Sequence, residues 1–304
     1  MSGSLKCKTL LVGLLSLGLM AGASAKQLTV GMSFQELNNE YFVTMKQSVE
    51  DATKDINAKL YTADAAHDVS KQISDIEDMI QKKIDILLIN PADSVGAEAA
   101  VLAAKKAGVV VVAIDAQANG PLDSFVGSKN YDAGLIAGEN LAKALGNKGN
   151  VAILDGIPVV PILERVRGFE DAMKKHPDIK ILTKLNGKQE RDTAMSVTEN
   201  MLQSNPTLNG IFSVNDVGAL GALAAIQSSG RDVKLVSVDG SPEAVAEIAK
   251  GNTPFIATAA QFPRDQVRIG LGIALAKYWG ANVPASVPVD VKLIDKNNAK
   301  DFHW

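Results

Sequence analysis

The sequence predicts an α/β protein made of two similar lobes, each built around a parallel sheet. Three observations carry this. Strand-like and helix-like stretches alternate along almost the whole chain of 304 residues. Several strands are continuous apolar runs, such as "VVVVAID", which need burial on both faces and so imply crossover helices packed on both sides of a parallel sheet. One strand–helix–strand unit also occurs twice. At 46% hydrophobic and 21% charged, the chain has enough apolar material for two cores of ordinary size.

The elements follow in order. Lys6 and Lys8 precede an apolar run from Leu10 to Ala23 that ends in Ala23-Ser24-Ala25, the charged, apolar and small-residue parts of an export signal with cleavage expected after Ala25. The apolar part, about 14 residues, is too short to span a bilayer. Cys7, the only cysteine, lies before that run, so the mature chain has no thiol for disulfides, nucleophilic attack or metal binding. Strands are then predicted at Leu28–Ser33, Lys59–Ala63, Asp85–Asn90, Val109–Asp115, Phe125–Ser128, Asn150–Asp155, Lys180–Leu185, Leu208–Val214, Lys234–Asp239 and Phe255–Ala259. Amphipathic stretches of helical length lie between them: Tyr41–Asn57, Ser70–Lys83, Val95–Ala107, Ala133–Leu145, Glu164–His176 and Thr193–Gln203. No glycine-serine linker separates two halves, so short connections must join them.

The repeated unit reads "LLINPADSVGAEAAVLAAKKAGVVVVAID" and "IFSVNDVGALGALAAIQSSGRDVKLVSVDG": apolar strand, Asn, small-residue helix, Gly, apolar strand, Asp. Asn90 precedes Asp115 by 25 positions, and Asn215 precedes Asp239 by 24. This spacing sets an amide and a carboxylate at the carboxyl ends of neighbouring parallel strands in each lobe, the edge where open α/β sheets bind ligands. A lone Asn or Asp at a strand end more often caps the next helix, and Asp93 and Asp216 are assigned that role. Repetition moves Asn90, Asp115, Asn215 and Asp239 toward a shared ligand cleft.

Other residues suit the same cleft. In "QELNNEYF", Asn38 or Asn39 can cap a helix whose first turn holds Tyr41 and Phe42, two rings able to cover the C–H face of a sugar or to pack in the core. In "PILERVRGFEDAM", Arg165 and Arg167 stand where a helix dipole disfavours a cation, so a ligand or a surface salt bridge must account for them. "GKQERDTA" places Gln189, Glu190 and Arg191 before a helix, with Asp192 as expected cap, and "ATAAQFPRDQ" ends a strand in Gln261 just before a proline.

Several function classes are excluded. A formal net charge of -3 and the lack of any Lys/Arg run argue against nucleic acid. The chain lacks a G-x-S-x-G elbow, a phosphate loop, a dinucleotide fingerprint and H-E-x-x-H, and His67, His176 and His303 do not form a metal-ligand spacing. No catalytic group, cofactor or metal is expected. An exported enzyme using Asp115 and Asp239 as a carboxylate pair is the alternative, and a regulator's effector-binding core would need a DNA-binding module instead of an export signal. Groups that only donate and accept hydrogen bonds, beside aromatic rings, suit a neutral polyhydroxylated molecule.

Taken together, "LNNEYFVTMK", "KQISDIEDMIQKKIDILLINPADS", "VVAIDAQ", "ILERVRGF", "SVNDVGALGAL", "VSVDGSPEA" and "ATAAQFPRDQ" resemble the periplasmic substrate-binding proteins of ABC importers for sugars, in the class that includes ribose- and inositol-binding members. The resemblance covers essentially the whole mature chain. It implies the type I periplasmic binding protein fold: two Rossmann-like lobes joined by three crossings near Ser128–Tyr131, Gln261–Pro263 and Val289–Val291. The lobes would be 26–129 plus 262–289 and 130–261 plus 290–304, after a signal peptide at 1–25. It implies a ligand shell of Asn39, Tyr41, Phe42, Asn90, Asp115, Arg165, Asn215, Asp239 and Gln261, with Gln189 where the ribose binder has a covering aromatic. Ala116 replaces an arginine that touches the sugar in the ribose binder, so another pentose, a furanose or branched sugar, or a cyclitol is as well suited. The implied partners are a monosaccharide or cyclitol, the importer's membrane permease and, as an option, a chemoreceptor; the implied state is a periplasmic monomer.

Overall fold

The computed structural model describes residues 26–304; the predicted export segment lies outside the described residues. The chain runs β1 (Thr29–Phe34), α1 (Glu40–Asp55), β2 (Lys59–Asp64), α2 (Val69–Gln81), β3 (Ile86–Ile89), α3 (Glu98–Lys106), β4 (Val110–Ile114) and β5 (Ser124–Ser128). It continues through α4 (Asn130–Ala144), β6 (Gly149–Asp155), α5 (Val160–Lys174), β7 (Ile179–Asn186), α6 (Arg191–Ser204), β8 (Gly210–Ser213), α7 (Asp216–Ser229), β9 (Lys234–Asp239), α8 (Pro242–Ala249) and β10 (Phe255–Ala260). It ends with α9 (Pro263–Tyr278), β11 (Ser286–Val289), β12 (Lys292–Asp295) and a 3₁₀ turn at Ala299–Asp301.

The strands form two six-stranded sheets with one shared plan: β11-β5-β4-β3-β1-β2 and β12-β10-β9-β8-β6-β7. All pairings are parallel except β10 with β12. The apolar runs explain the burial. In β3, Ile86 and Leu88 join one core cluster while Leu87 and Ile89 join another on the opposite face. In the second sheet Leu235 packs on one face, and Val236 and Val238 on the other. Alternate residues point to opposite faces, so a strand covered on both sides has to be apolar throughout.

Three connections pass between the sheets. After β5 the chain enters α4, which packs on α5, β9 and β10; after β10 it enters α9, which packs on α1, β4 and β5; and β11 of the first sheet leads directly to β12 of the second. The sequence reading missed β11 and β12 as strands. Both are short, half-exposed edge strands, and Pro288 sits in the first of them, so neither carries a strong apolar pattern.

Helix starts also differ from expectation: α3 begins at Glu98 and not at Val95, α4 at Asn130 and not at Ala133, and the starts of α5 and α6 move as well. Helix α5 begins at Val160 and not at Glu164, because Pro161 is already set in helical φ and needs no amide partner at the first turn. Helix α6 begins at Arg191, so Asp192 lies inside its first turn and Glu190 takes the cap position.

Candidate functional site

The carboxyl ends of both sheets face a cavity of about 720 Å³ between the lobes. Nine of the ten predicted site residues line it: Asn39, Tyr41, Phe42, Asp115, Arg165, Gln189, Asn215, Asp239 and Gln261. Asn90 does not. It is fully buried behind Asp115, accepting from the Gln35 amide at 3.2 Å and donating to the Ile114 carbonyl at 3.2 Å and Asp115 Oδ2 at 3.3 Å.

The two aspartates occupy equivalent places. Asp115 follows β4 with φ 66°, and Asp239 ends β9 with φ 136°. Both values lie where L-residues are disfavoured, at a cost of order 1–3 kcal/mol each, and such strain persists only where surrounding structure enforces it. The flanking strands enforce it here: the Asp115 amide donates to the Val126 carbonyl at 2.8 Å, and the Asp239 carbonyl accepts from the Gln261 amide at 2.9 Å.

In the first lobe, Asp115 Oδ1 accepts from the Tyr41 hydroxyl at 3.1 Å. That hydroxyl accepts in turn from Gln266 Nε2 at 2.9 Å, and the same nitrogen donates to Ser128 Oγ at 2.8 Å, at the first crossing. Burial raises the Asp115 carboxyl to about 6, opposed by the Arg165 charge and the Tyr41 hydrogen bond. Burial also pushes the Tyr41 phenol well up, so it stays a neutral donor. The Tyr41 ring is not free to cover a sugar: it is 4% exposed and meets Phe42 and Trp304 edge-on, with centroids 5.3 and 5.6 Å away. It serves the site through its hydroxyl.

In the second lobe, Asp239 Oδ1 accepts from Arg165 Nη1 at 3.2 Å and Gln261 Nε2 at 2.8 Å, while Oδ2 accepts from the Asp216 amide at 3.3 Å. Arg165 is buried, and it also donates from Nε to Asn130 Oδ1 at 2.8 Å and from Nη1 to the Val214 carbonyl at 2.8 Å. Its helix is fixed by close approach of α4 and α5. A Cβ at Gly134 would stand 1.8 Å from the Arg165 carbonyl oxygen, and one at Gly168 would stand 2.0 Å from that of Tyr131, so neither position admits a side chain. The surface-pair explanation belongs to Arg167, which is exposed, pairs with Glu164 and lies over the Tyr131 ring.

Capping agrees with the sequence reading at Asn39 and departs from it at Asp216. Asn39, not Asn38, caps α1 by accepting from the Tyr41 amide at 3.0 Å. Asp93 accepts from the Val95 and Gly96 amides in the turn that leads into α3. Asp216 is not a cap. Asn215 caps α7 through the Gly218 amide at 3.1 Å, and Asp216 is fully buried, accepting from Ser237 Oγ, Thr258 Oγ1 and the Ser241 amide. Burial, with the neighbouring Asp239 charge adding to it, raises Asp216 to about 7. Gln189 turns inward to accept from the Ile157 amide at 3.2 Å, tying the loop before α6 to the one after β6.

Sequence reasoning also missed part of the wall. Ile157, Val159 and Ile162 give the second lobe an apolar side, while Glu36 and Lys188 add charge and His67 lies beside Glu36. His67 Nε2 pairs with Glu36 Oε2 at 3.2 Å. Nothing in the local pattern marks Glu36, His67, Ile157 and Lys188, which come from loops, and Ile162 sits in the first turn of α5, ahead of the helix start that the sequence predicts. Among the described residues no group of three or more His, Cys, Asp or Glu is placed to hold a metal ion.

Two lobes of one plan, each presenting a strained carboxylate to a shared polar cavity, define a cleft receptor for a small solute. The chain belongs to the family described as the periplasmic binding protein domain, whose profile matches residues 30–280. It is 37% identical over 270 residues to the ribose import binding protein of Bacillus subtilis, covering 88% of this chain and 87% of that one. Two solved structures share the fold. One is a periplasmic solute-binding protein of an ABC transporter from Actinobacillus succinogenes with bound D-allose (TM-score 0.86, 32% identity, 91% of this chain and 100% of that one). The other is the Caulobacter myo-inositol-binding protein with myo-inositol (TM-score 0.83, 29% identity, 90% and 95%). The relatives are substrate-binding transport proteins and not enzymes.

Proposed function

We propose that this protein is exported, cleaved after Ala25, and captures one monosaccharide or cyclitol between its lobes for delivery to the permease of an ABC importer. The observation that carries this reading is the pair of positive-φ aspartates, Asp115 and Asp239, facing one cavity from equivalent places in two sheets. Each carboxylate accepts from ligand hydroxyls, and Arg165, Asn215 and Gln261 complete the polar shell. Gln261 supports this, because its Oε1 is buried without a hydrogen-bond partner among the described residues and can accept a hydroxyl. Asn39, Phe42 and Gln189 bound the ligand, and Asn90 acts by holding Asp115. Ala116 leaves room beside Asp115 and supplies no guanidinium, which favours neutral ligands other than ribose as well as ribose.

The lobes of this receptor are 26–129 plus 262–289 and 130–261 plus 290–304, and the three crossings form the hinge on which they close. One chain supplies the whole cavity, which supports a monomer. The permease reads the closed form, and a chemoreceptor is a second reader of the same surface. A thermal-shift screen with D-ribose, D-allose, xylitol and myo-inositol tests the reading: a solute that binds only the native state raises its melting temperature. Turnover of any of these into a new product, detected by mass spectrometry, would contradict it.

A further inference from the structure

We propose that Trp304 is a positioning residue that braces the two halves of the cleft against each other. Its indole Nε1 donates to the Asp239 carbonyl oxygen at 3.1 Å, in the second lobe. Its ring meets the ring of Tyr41, in the first lobe, edge-on at 5.6 Å and 80°. It also packs against the core clusters of both sheets. One side chain thus touches both carboxylate stations: the strained Asp239 backbone directly, and Asp115 through the Tyr41 hydroxyl.

Trp304 does not line the sugar cavity. It lines a second cavity of about 490 Å³ between α1 and α8, walled by Val43, Gln47, Pro242 and Val245. Any effect on binding is therefore indirect. The segment that carries it is anchored on the second lobe, where Phe302 is buried and meets Phe262, at the second crossing, with centroids 6.1 Å apart. Trp304 consequently moves with Asp239, and its contact with Tyr41 depends on how the lobes sit. Rotation of the lobes must give up either the Tyr41 contact or the bond to Asp239, so Trp304 favours the arrangement in which both stations face the cavity. An aromatic pair adds to plain area burial by enough to bias two lobe arrangements several-fold.

Two measurements on the full chain decide this. In the first, which needs no sugar, small-angle scattering compares the wild type with Trp304→Ala and Trp304→Phe. The alanine variant is expected to show a larger radius of gyration with cooperative melting retained. The phenylalanine variant, which keeps a ring but loses the N–H, should fall between and still reports if the alanine variant fails to fold. Equal radii overturn the proposal. In the second, which rests on the sugar-receptor reading, stopped-flow uses whichever of D-ribose, D-allose, xylitol or myo-inositol stabilises the wild type. Trp279 is exposed and is the only other tryptophan, so Trp279→Phe leaves Trp304 as the sole emitter. Its emission should change on binding; release is read in every variant as loss of isotope-labelled sugar into an excess of unlabelled sugar, which needs no tryptophan, and Trp304→Ala should release the sugar about tenfold faster with association unchanged. An unchanged release rate overturns the proposal. If the wild type binds none of the four, the ligand reading fails, and scattering still decides the brace.

Discussion

The two lobes share a topology and a sequence pattern, yet they hold their carboxylates in different ways. Asp115 rests on neutral donors only, Tyr41 and Asn90, whereas Asp239 is paired with a buried guanidinium and sits beside a second buried acid, Asp216. The first lobe lets the carboxyl drift up to about 6. Burial raises Asp239 as well, and the Arg165 charge opposes the rise in both lobes, but only Asp239 receives it through a direct hydrogen bond. A repeated fold thus fixes where the carboxylates stand, while the residues around them set how readily each is charged.

The largest expected effect comes from removing the feature that separates the lobes. Arg165→Ala leaves Asp239 buried beside Asp216 without a cation and should cost about 3–5 kcal/mol of stability, read by urea denaturation, with sugar binding lost. Arg165→Lys keeps the charge but not the planar fork, and calorimetry should show clearly weaker binding. Unchanged affinity in the lysine variant would mean that the guanidinium geometry is irrelevant to the ligand.

A smaller loss is expected for Gly134→Ala, which touches no part of the cavity. The added methyl drives α5 away from α4 and carries Arg165 with it, so melting temperature and affinity should fall together, by about 1–3 kcal/mol in stability as for overpacked cores. A variant with reduced stability but full affinity would detach Arg165 placement from the helix contact.

The smallest effect is on pH. Only the ionised Asp115 gives sugar hydroxyls charge-assisted hydrogen bonds on both oxygens, so affinity should weaken as pH falls through about 6. Stability of the unliganded protein runs the other way. Asp115 and Asp216 have native values raised above the usual 3.8, to about 6 and about 7, so the native state binds more protons than the unfolded chain in that interval. Their contribution is full below about pH 4 and is lost as pH rises to about 7. Asp216→Asn should flatten the upper part of that decline in thermal melts at several pH values; an unaltered profile would remove Asp216 as its source.

Much of this was legible in the sequence, for physical reasons. Fully buried strands must be apolar throughout, so "ILLI" and "VVVAI" announced themselves, and the repeat set Asn90, Asp115, Asn215 and Asp239 at one edge because parallel strands joined by helices align their ends. What failed was local. Asp216 looks like a cap from its neighbours alone, because its partners Ser237, Ser241 and Thr258 come from distant segments. Tyr41 stayed open between covering a sugar and packing in the core, because nothing near it in the chain reveals Trp304, more than two hundred residues away. The wall residues Glu36, His67 and Lys188 sit in loops, where no periodicity marks a facing.

The most direct measurement is calorimetric titration of wild type, Asp115→Ala and Asp239→Ala with D-ribose, D-allose, xylitol and myo-inositol. The wild type should bind at least one of them one-to-one. Each variant should lose about 2–3 kcal/mol of binding, as charge-assisted hydrogen bonds to the sugar disappear while both proteins stay folded. Wild-type affinity retained in both variants would contradict the claim that the paired aspartates hold the ligand.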